Sequence, residues 1–357
     1  MKNKIRNFSL ALALLAIVPG FSSYKADQQQ GKASGYNQGH EIQKHQMMSA
    51  YNSSARYDVE GAWDFFLNAS FIWWKPMQQG MELGYTTSAN PTTSMDSVTE
   101  MRFKYKPGFK VGLGMYCDHD NWDLSTNYTW LYADTSKTLS SLANFTPLWF
   151  SPTTSGSTTA HKGKWNLKFN DLAFELGRCF YVGTKLIFRT HYGLKLNFIK
   201  QKMTTDTTHV YQGTTTLPKS TALQKSWALG PRVGCDMKYL LGSGFRFFGS
   251  PTFALLYQDF TKIRFNQDSP TDTTTKSINT KAKERQLTAN PTANIGFGWG
   301  SYFGDNKWHF DTALSYDFEL FANQNVMRKL VDTYVSSSMS FGDLFLHGYT
   351  LTVRFDF

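Results

Sequence analysis

Three groups of side chains in this sequence could do chemistry. The stretch "DHDNWD" brings Asp118, Asp120 and Asp123 together, a density of carboxylates that could suggest a calcium loop. It lacks the ligand spacing and distal glutamate of such a loop, so a tight polar turn is the simpler reading and no metal site is expected. His191, His309, Asp311 and Asp317 are residue types that serve as general acids and bases. A hydrolase would need them gathered around a nucleophile, and their separation along the chain does not establish that. The third group is the largest. Lys104, Lys110, Arg189, Lys195, Arg232, Lys238, Arg246 and Arg354, with Asp311, Asp317 and Glu319, fall at the polar parity of alternating segments. Charges set along a polar wall sort small solutes by their field instead of transforming them. No phosphate loop, nucleophile elbow or zinc spacing occurs, so neither a cofactor nor an enzyme is expected.

The segments that must position these charges read as strands. "EMRFKYKPGFKVGLGMYC" alternates Met101, Phe103, Tyr105, Phe109, Val111, Leu113 and Met115 with Arg102, Lys104, Lys106 and Lys110. "LHGYTLTVRFDF" sets Tyr349, Leu351, Val353, Phe355 and Phe357 against Thr350, Thr352, Arg354 and Asp356, up to the last residue. "KWNLKFNDLAFELG" changes parity between Phe169 and Leu172, which reads as a β-bulge. From Gly61 onward the pattern supports about ten strands, within roughly eight to twelve. Connections alternate between short ones such as "DHDN", "LGSG" and "SYFGDN" and long ones near 76–99, 135–163, 201–223, 263–283 and 322–345. That rhythm predicts an all-β fold, a transmembrane antiparallel up-and-down barrel with short periplasmic turns and long extracellular loops. A terminal strand with one apolar face would be an aggregation template on its own; in a barrel it pairs with the first strand.

Aromatic content supports this, at 16% of residues. Trp63, Trp73, Trp122, Trp130, Trp165, Trp227, Trp299 and Trp308 lie at or near strand ends, where an aromatic girdle would meet the lipid boundary. The first 23 residues combine Lys2, Lys4 and Arg6 with an apolar run from Phe8 to Val18, the pattern of a cleaved signal peptide. Residues 24–60 are polar and Gln-rich and read as a periplasmic segment outside the barrel, with residues 61–357 forming the barrel itself.

"KPGFKVGLGMYCDHDNWDLSTNYTWLY", "LAFELGRCFYVGTKLIFRTHYGLKLNFIKQ" and "GPRVGCDMKYLLGSGFRFFGSPTFALLY" resemble the pore-forming outer membrane proteins of the Legionella major outer membrane protein type, which also occur in environmental chlamydiae. "ASFIWWKPMQQGMELGY" fits the same family. The resemblance runs from about residue 60 to Phe357 and implies a porin-like role in the outer membrane of a Gram-negative-type bacterium, with no catalytic residues to carry over. Tyr349, Phe355 and Phe357 resemble the C-terminal aromatic signal read by outer-membrane assembly machinery.

The leading expectation is therefore a pore for passive diffusion of small hydrophilic solutes. Its basic residues would occupy one arc of the lumen and the strand carrying Asp311, Asp317 and Glu319 another, with an excess of positive charge that predicts anion preference. The alternative is a structural or adhesive surface barrel with a closed lumen; a hydrolase comes last. Expected partners are outer-membrane lipid, the assembly machinery and small solutes, with no nucleic acid. Cys117, Cys179 and Cys235 should lie near the periplasmic rim, too far apart to pair, leaving disulfide-linked neighbours as one option and apolar wall residues as the other.

Overall fold

The computed structural model describes residues 55, 57, 59 and 64–357, except for 88–96, 118–121, 152–155, 270–274 and 336–341. The stretch expected to be a signal peptide, most of the Gln-rich segment, Trp63, Asp118 and Asp120 fall outside the described residues. In chain order the elements are β1 (Phe65–Gln78), β2 (Glu82–Thr86), β3 (Ser97–Glu100), β4 (Lys106–Tyr116), β5 (Trp122–Leu139), β6 (Phe145–Pro147), β7 (Ser157–Val182), β8 (Leu186–Tyr211), β9 (Thr214–Thr216), β10 (Lys219–Gly242), β11 (Phe245–Gly249), β12 (Thr252–Asp268), β13 (Lys276–Phe303), β14 (Trp308–Phe321) and β15 (Leu344–Asp356). A helix, α1 (Val326–Val335), joins the last two strands.

The large sheet closes on itself. β1 pairs with β4 on one side and with β15 on the other, all antiparallel. Between them run β5, β7, β8, β10, then β11 and β12 as one interrupted stave, and β13 and β14, which makes a ring of ten strands. The alternation at the C-terminus thus has its partner: Leu67 stands opposite Phe355 and Phe71 opposite Leu351. Short turns gather at one rim. In "LGSG", Gly242, Ser243 and Gly244 all take positive φ, as a tight hairpin requires. A Cβ on Gly244 would lie 2.2 Å from the carbonyl oxygen of Gly300.

The barrel is far taller than a bilayer. β7 and β8 have 26 residues each and β13 has 28, where about ten tilted residues cross the lipid. Near the short turns the outward face is apolar (Leu113, Phe174, Leu194, Phe297, Leu351) and exposed, as a lipid-facing wall must be. Toward the long connections the polarity inverts. Lys164, Lys168, Lys200 and Lys202 face outward, while Trp165, Leu167, Phe169, Ile199 and Met203 are buried inside.

This inversion corrects two expectations. There is no bulge at Phe169: the pairing of β5 with β7 runs unbroken from Trp122 to Leu139. Phe169 faces inward and Leu172 outward because the strand passes from water into lipid between them, so the apolar face changes sides while the backbone does not. Likewise much of 157–163, 201–211, 219–223, 263–268 and 276–283 belongs to ring strands and not to loops. Their Thr- and Lys-rich faces point to water.

The outer half of the barrel is filled. Ile72, Trp74, Met81, Leu83, Trp165, Phe169, Met203, Phe260, Phe265 and Phe321 pack with Val326, Met327 and Val331 of α1 into one apolar cluster. β2, β3 and β6 form a small separate sheet beside it. The helix is held by polar contacts: Gln224 accepts from the Met327 amide at 2.8 Å, and Asn325 donates to the Gln79 carbonyl at 2.7 Å.

Candidate functional site

Below the apolar cluster, at the level of the lipid-facing wall, the lumen is lined by charge. β5, β7, β8 and β10 are adjacent staves, and their inward positions bring Asp123, Glu175, Arg189 and Asp236 together. Arg189 Nε donates to both Asp123 oxygens at 3.0 and 2.9 Å, and its Nη1 donates to Asp236 at 2.9 Å. Arg232 meets Glu175 at 2.6 Å. His191 lies between these carboxylates, 3.5 Å from Glu175 and 3.5 Å from Asp236. Across the lumen, Lys110 pairs with Asp317 at 2.6 Å and its ammonium stands 4.4 Å from the Trp74 ring. Lys195 pairs with Glu319 and lies 3.6 Å from Asp171; Arg246 pairs with Asp311.

Two adjoining cavities run through this region. One of about 250 Å³ is lined by Asn68, Lys110, Asp171, Glu175, Lys195, Arg232, Asp317 and Glu319 among others. The second, about 180 Å³, lies toward the short turns and is lined by Tyr57, Tyr116, Asp123, Arg189, Lys238 and Arg354. Asn68, Asn127 and Glu175 border both.

The short-turn mouth is occupied from the N-terminal side. Tyr57 stacks on His309 with ring centroids 4.0 Å apart, and the Lys238 ammonium and Arg354 guanidinium stand 5.2 and 5.3 Å from its ring. Ala55 donates its amide to the Cys179 carbonyl at 3.3 Å. These two residues therefore sit in the barrel mouth, although composition placed them in an external segment. His309 also bonds Asp356 at 2.9 Å, and Arg354 donates to the Tyr116 hydroxyl at 2.7 Å.

Lys110, Arg189, Lys195, Arg232, Lys238, Arg246, Arg354, Asp311, Asp317 and Glu319 all lie on the inner face. Lys104 does not. It is exposed on the segment before β4, next to Phe103, whose ring packs at 5.2 Å on buried Trp165. At that height the apolar residue belongs inside and the lysine outside. The same cause displaces Trp165 from the girdle: it is wholly buried, and its indole donates to Gln201 at 3.2 Å. Trp73, Trp130, Trp299 and Trp308 are exposed on the outer wall, with Trp122 and Trp227 half-buried there. Tyr349 and Phe355 face outward, and Phe357 exchanges two backbone hydrogen bonds with Phe65.

The charges are not sorted into arcs. Asp123, Asp171, Glu175, Asp236 and Asp356 share the inner face and neutralise the basic staves locally, removing the expected positive excess. Asp123 and Asp236 are legible from strand parity; Asp171 and Glu175 are obscured once a bulge is assumed beside them. Cys179 faces the lumen beneath Ala55, Cys235 faces outward, and no disulfide joins the cysteines.

No curated protein sequence matches the chain. Among solved structures it is similar to the CymD monoaromatic hydrocarbon channel, with TM-score 0.30 and 8% identity over 83% of this chain and 89% of that one. It is also similar to a Pseudomonas aeruginosa FadL homologue, with TM-score 0.25 and 7% identity over 82% and 89%. Such scores carry no strand or residue from those proteins to this one. The family described as Legionella pneumophila major outer membrane protein precursor matches residues 58–357. The closed ring, its lipid-facing wall and that match over most of the sequence agree, and the chain belongs to this outer membrane protein family.

Proposed function

We propose that the protein is a pore for small hydrophilic solutes, held shut at its extracellular end by α1 and the β2–β3–β6 sheet. The observation that supports it best is the pair of adjoining cavities lined by ionised side chains at membrane level. Charges inside a barrel are costly unless paired or hydrated. The near balance of charge implies weak ion selectivity. The reading is non-enzymatic: His309 lies between Asp356 and the Tyr57 ring, an arrangement that needs no nucleophile to explain it. Recognition of the terminal Phe357 by assembly machinery, and disulfides from outward Cys235 to neighbours, belong to the same proposal.

A second reading, a closed structural or adhesive barrel, is favoured by the apolar cluster filling the outer half. Planar-bilayer recordings separate the two. Refolded full-length protein should show small, infrequent openings, and a variant with residues 324–341 replaced by a short Gly-Ser linker should conduct steadily. Silence of both proteins, each verified as folded, would establish the closed barrel.

A further inference from the structure

The outward face carries a row of lysines that the ion-paired lumen does not explain. Lys168 on β7 stands directly opposite Lys200 on β8. Lys200 stands opposite Lys225 on β10, and Lys225 opposite Lys262 on β12. Four adjacent staves thus place a lysine at the same height on the same face. Like charges opposed across an antiparallel pair repel, and here three such pairs are consecutive.

No carboxylate relieves them among the described residues. Asp134, on the far side of Tyr132, is held by Lys106 at 2.7 Å. Asp259 is held by Arg285 at 3.2 Å, and Glu284, on the inner face, by Lys329 at 2.8 Å. Asp206 lies opposite Lys162 and Lys219, several residues farther out. On the remaining flank, Lys281 and Lys283 of β13 are exposed and add positive charge. Lys168 has the Tyr132 ring at 5.8 Å, which tempers one charge and leaves the row basic.

The height of the row is informative. One step toward the short turns, the same face presents Trp130, Asn170, Phe198, Trp227 and Asp259. The next step presents Tyr128, Leu172, Leu196, Leu229 and Tyr257. The lysines therefore stand immediately above the aromatic boundary of the lipid wall on the extracellular side, where headgroup phosphates of the outer leaflet lie. Across four staves at about 4.8 Å spacing the row extends about 14 Å. That span suits a headgroup carrying two phosphates better than a single small anion.

We propose that Lys168, Lys200, Lys225 and Lys262 form a binding site for a multiply phosphorylated glycolipid headgroup of the outer leaflet. The lipid supplies the counter-charge that the protein omits, and its acyl chains lie along Leu172, Leu196 and Leu229.

The test uses full-length protein refolded in zwitterionic detergent and titrated with diphosphoryl lipid A, followed by native mass spectrometry and by thermal denaturation. Wild type should bind the lipid and gain thermal stability. Lys200→Gln/Lys225→Gln should bind about thirty-fold more weakly, the worth of two surface lysines against anionic lipid. Lys200→Arg/Lys225→Arg should retain binding. The glutamine variant should also be the more stable of the two without lipid, because repulsion is relieved. Equal binding by wild type and the glutamine variant would overturn the site. Equal stabilisation by inorganic phosphate at matched phosphate concentration would replace the lipid with a free anion.

Discussion

Arg189 concentrates three carboxylates from three staves, Asp123, Glu175 and Asp236, on one guanidinium. Its planar fork can satisfy several acceptors at fixed angles, which a lysine cannot. Arg189→Ala would leave buried Asp123 without its partner, and breaking such a pair costs about 3 kcal/mol or more. We expect the temperature at which the folded form is lost in detergent to fall clearly, with Arg189→Lys intermediate. Trp165 tests the other half of the barrel. It is wholly buried against Phe103 and hydrogen-bonded to Gln201, so Trp165→Ala should cost about 3–5 kcal/mol through the cavity it leaves. A girdle tryptophan facing lipid would cost far less, so the same measurement with Trp130→Ala serves as the contrast.

The strands themselves carry the change of solvent. β7 faces water with Lys164 and lipid with Phe174, on one continuous outward face. Spin labels at these two positions should respond oppositely: the label at 164 to a water-soluble nickel chelate, the label at 174 to dissolved oxygen. Matching responses would mean that the polarity inversion has been misplaced. The same inversion separates what was legible in the sequence from what was not. Strand number, ring closure and the lipid-facing residues near the short turns follow from alternation, because lipid demands an apolar outer face along each stave. The outer halves were hidden. Alternation persists through "GKWNLKF" and "QKMTTDTT", but the apolar parity now points inward, so the pattern read as a bulge and loops. Lys104 and Trp165 stand on the face opposite to the one alternation predicts for this single reason. The inward parity of most other charges was readable; which carboxylate each would meet was not, because partners such as Lys195 and Glu319 lie 124 residues apart.

At the scale of the molecule, one cylinder holds two interiors, apolar under an aqueous exterior and polar under a lipid exterior. Around the apolar cluster the wall meets water, and around the charged lumen it meets lipid. The ring is locked between its first and last staves, with Ser70 bonded to Thr352 at 2.9 Å across 282 residues of sequence. Removing residues 344–357 should therefore abolish the compact, heat-sensitive band on unheated gels, while removing part of α1 should leave it. Closure also has a consequence in time. The β1–β15 seam has the greatest sequence separation in the sheet, so it cannot form until β15 has been synthesised and delivered. Until then both seam edges are bare hydrogen-bonding ladders. The search that ends in their meeting is of the slow, high-contact-order kind. The reverse step is equally hindered, since a hoop with no free edge has nowhere to begin unzipping. The lifetime of the assembled protein is thus governed by the height of an opening barrier more than by its equilibrium stability.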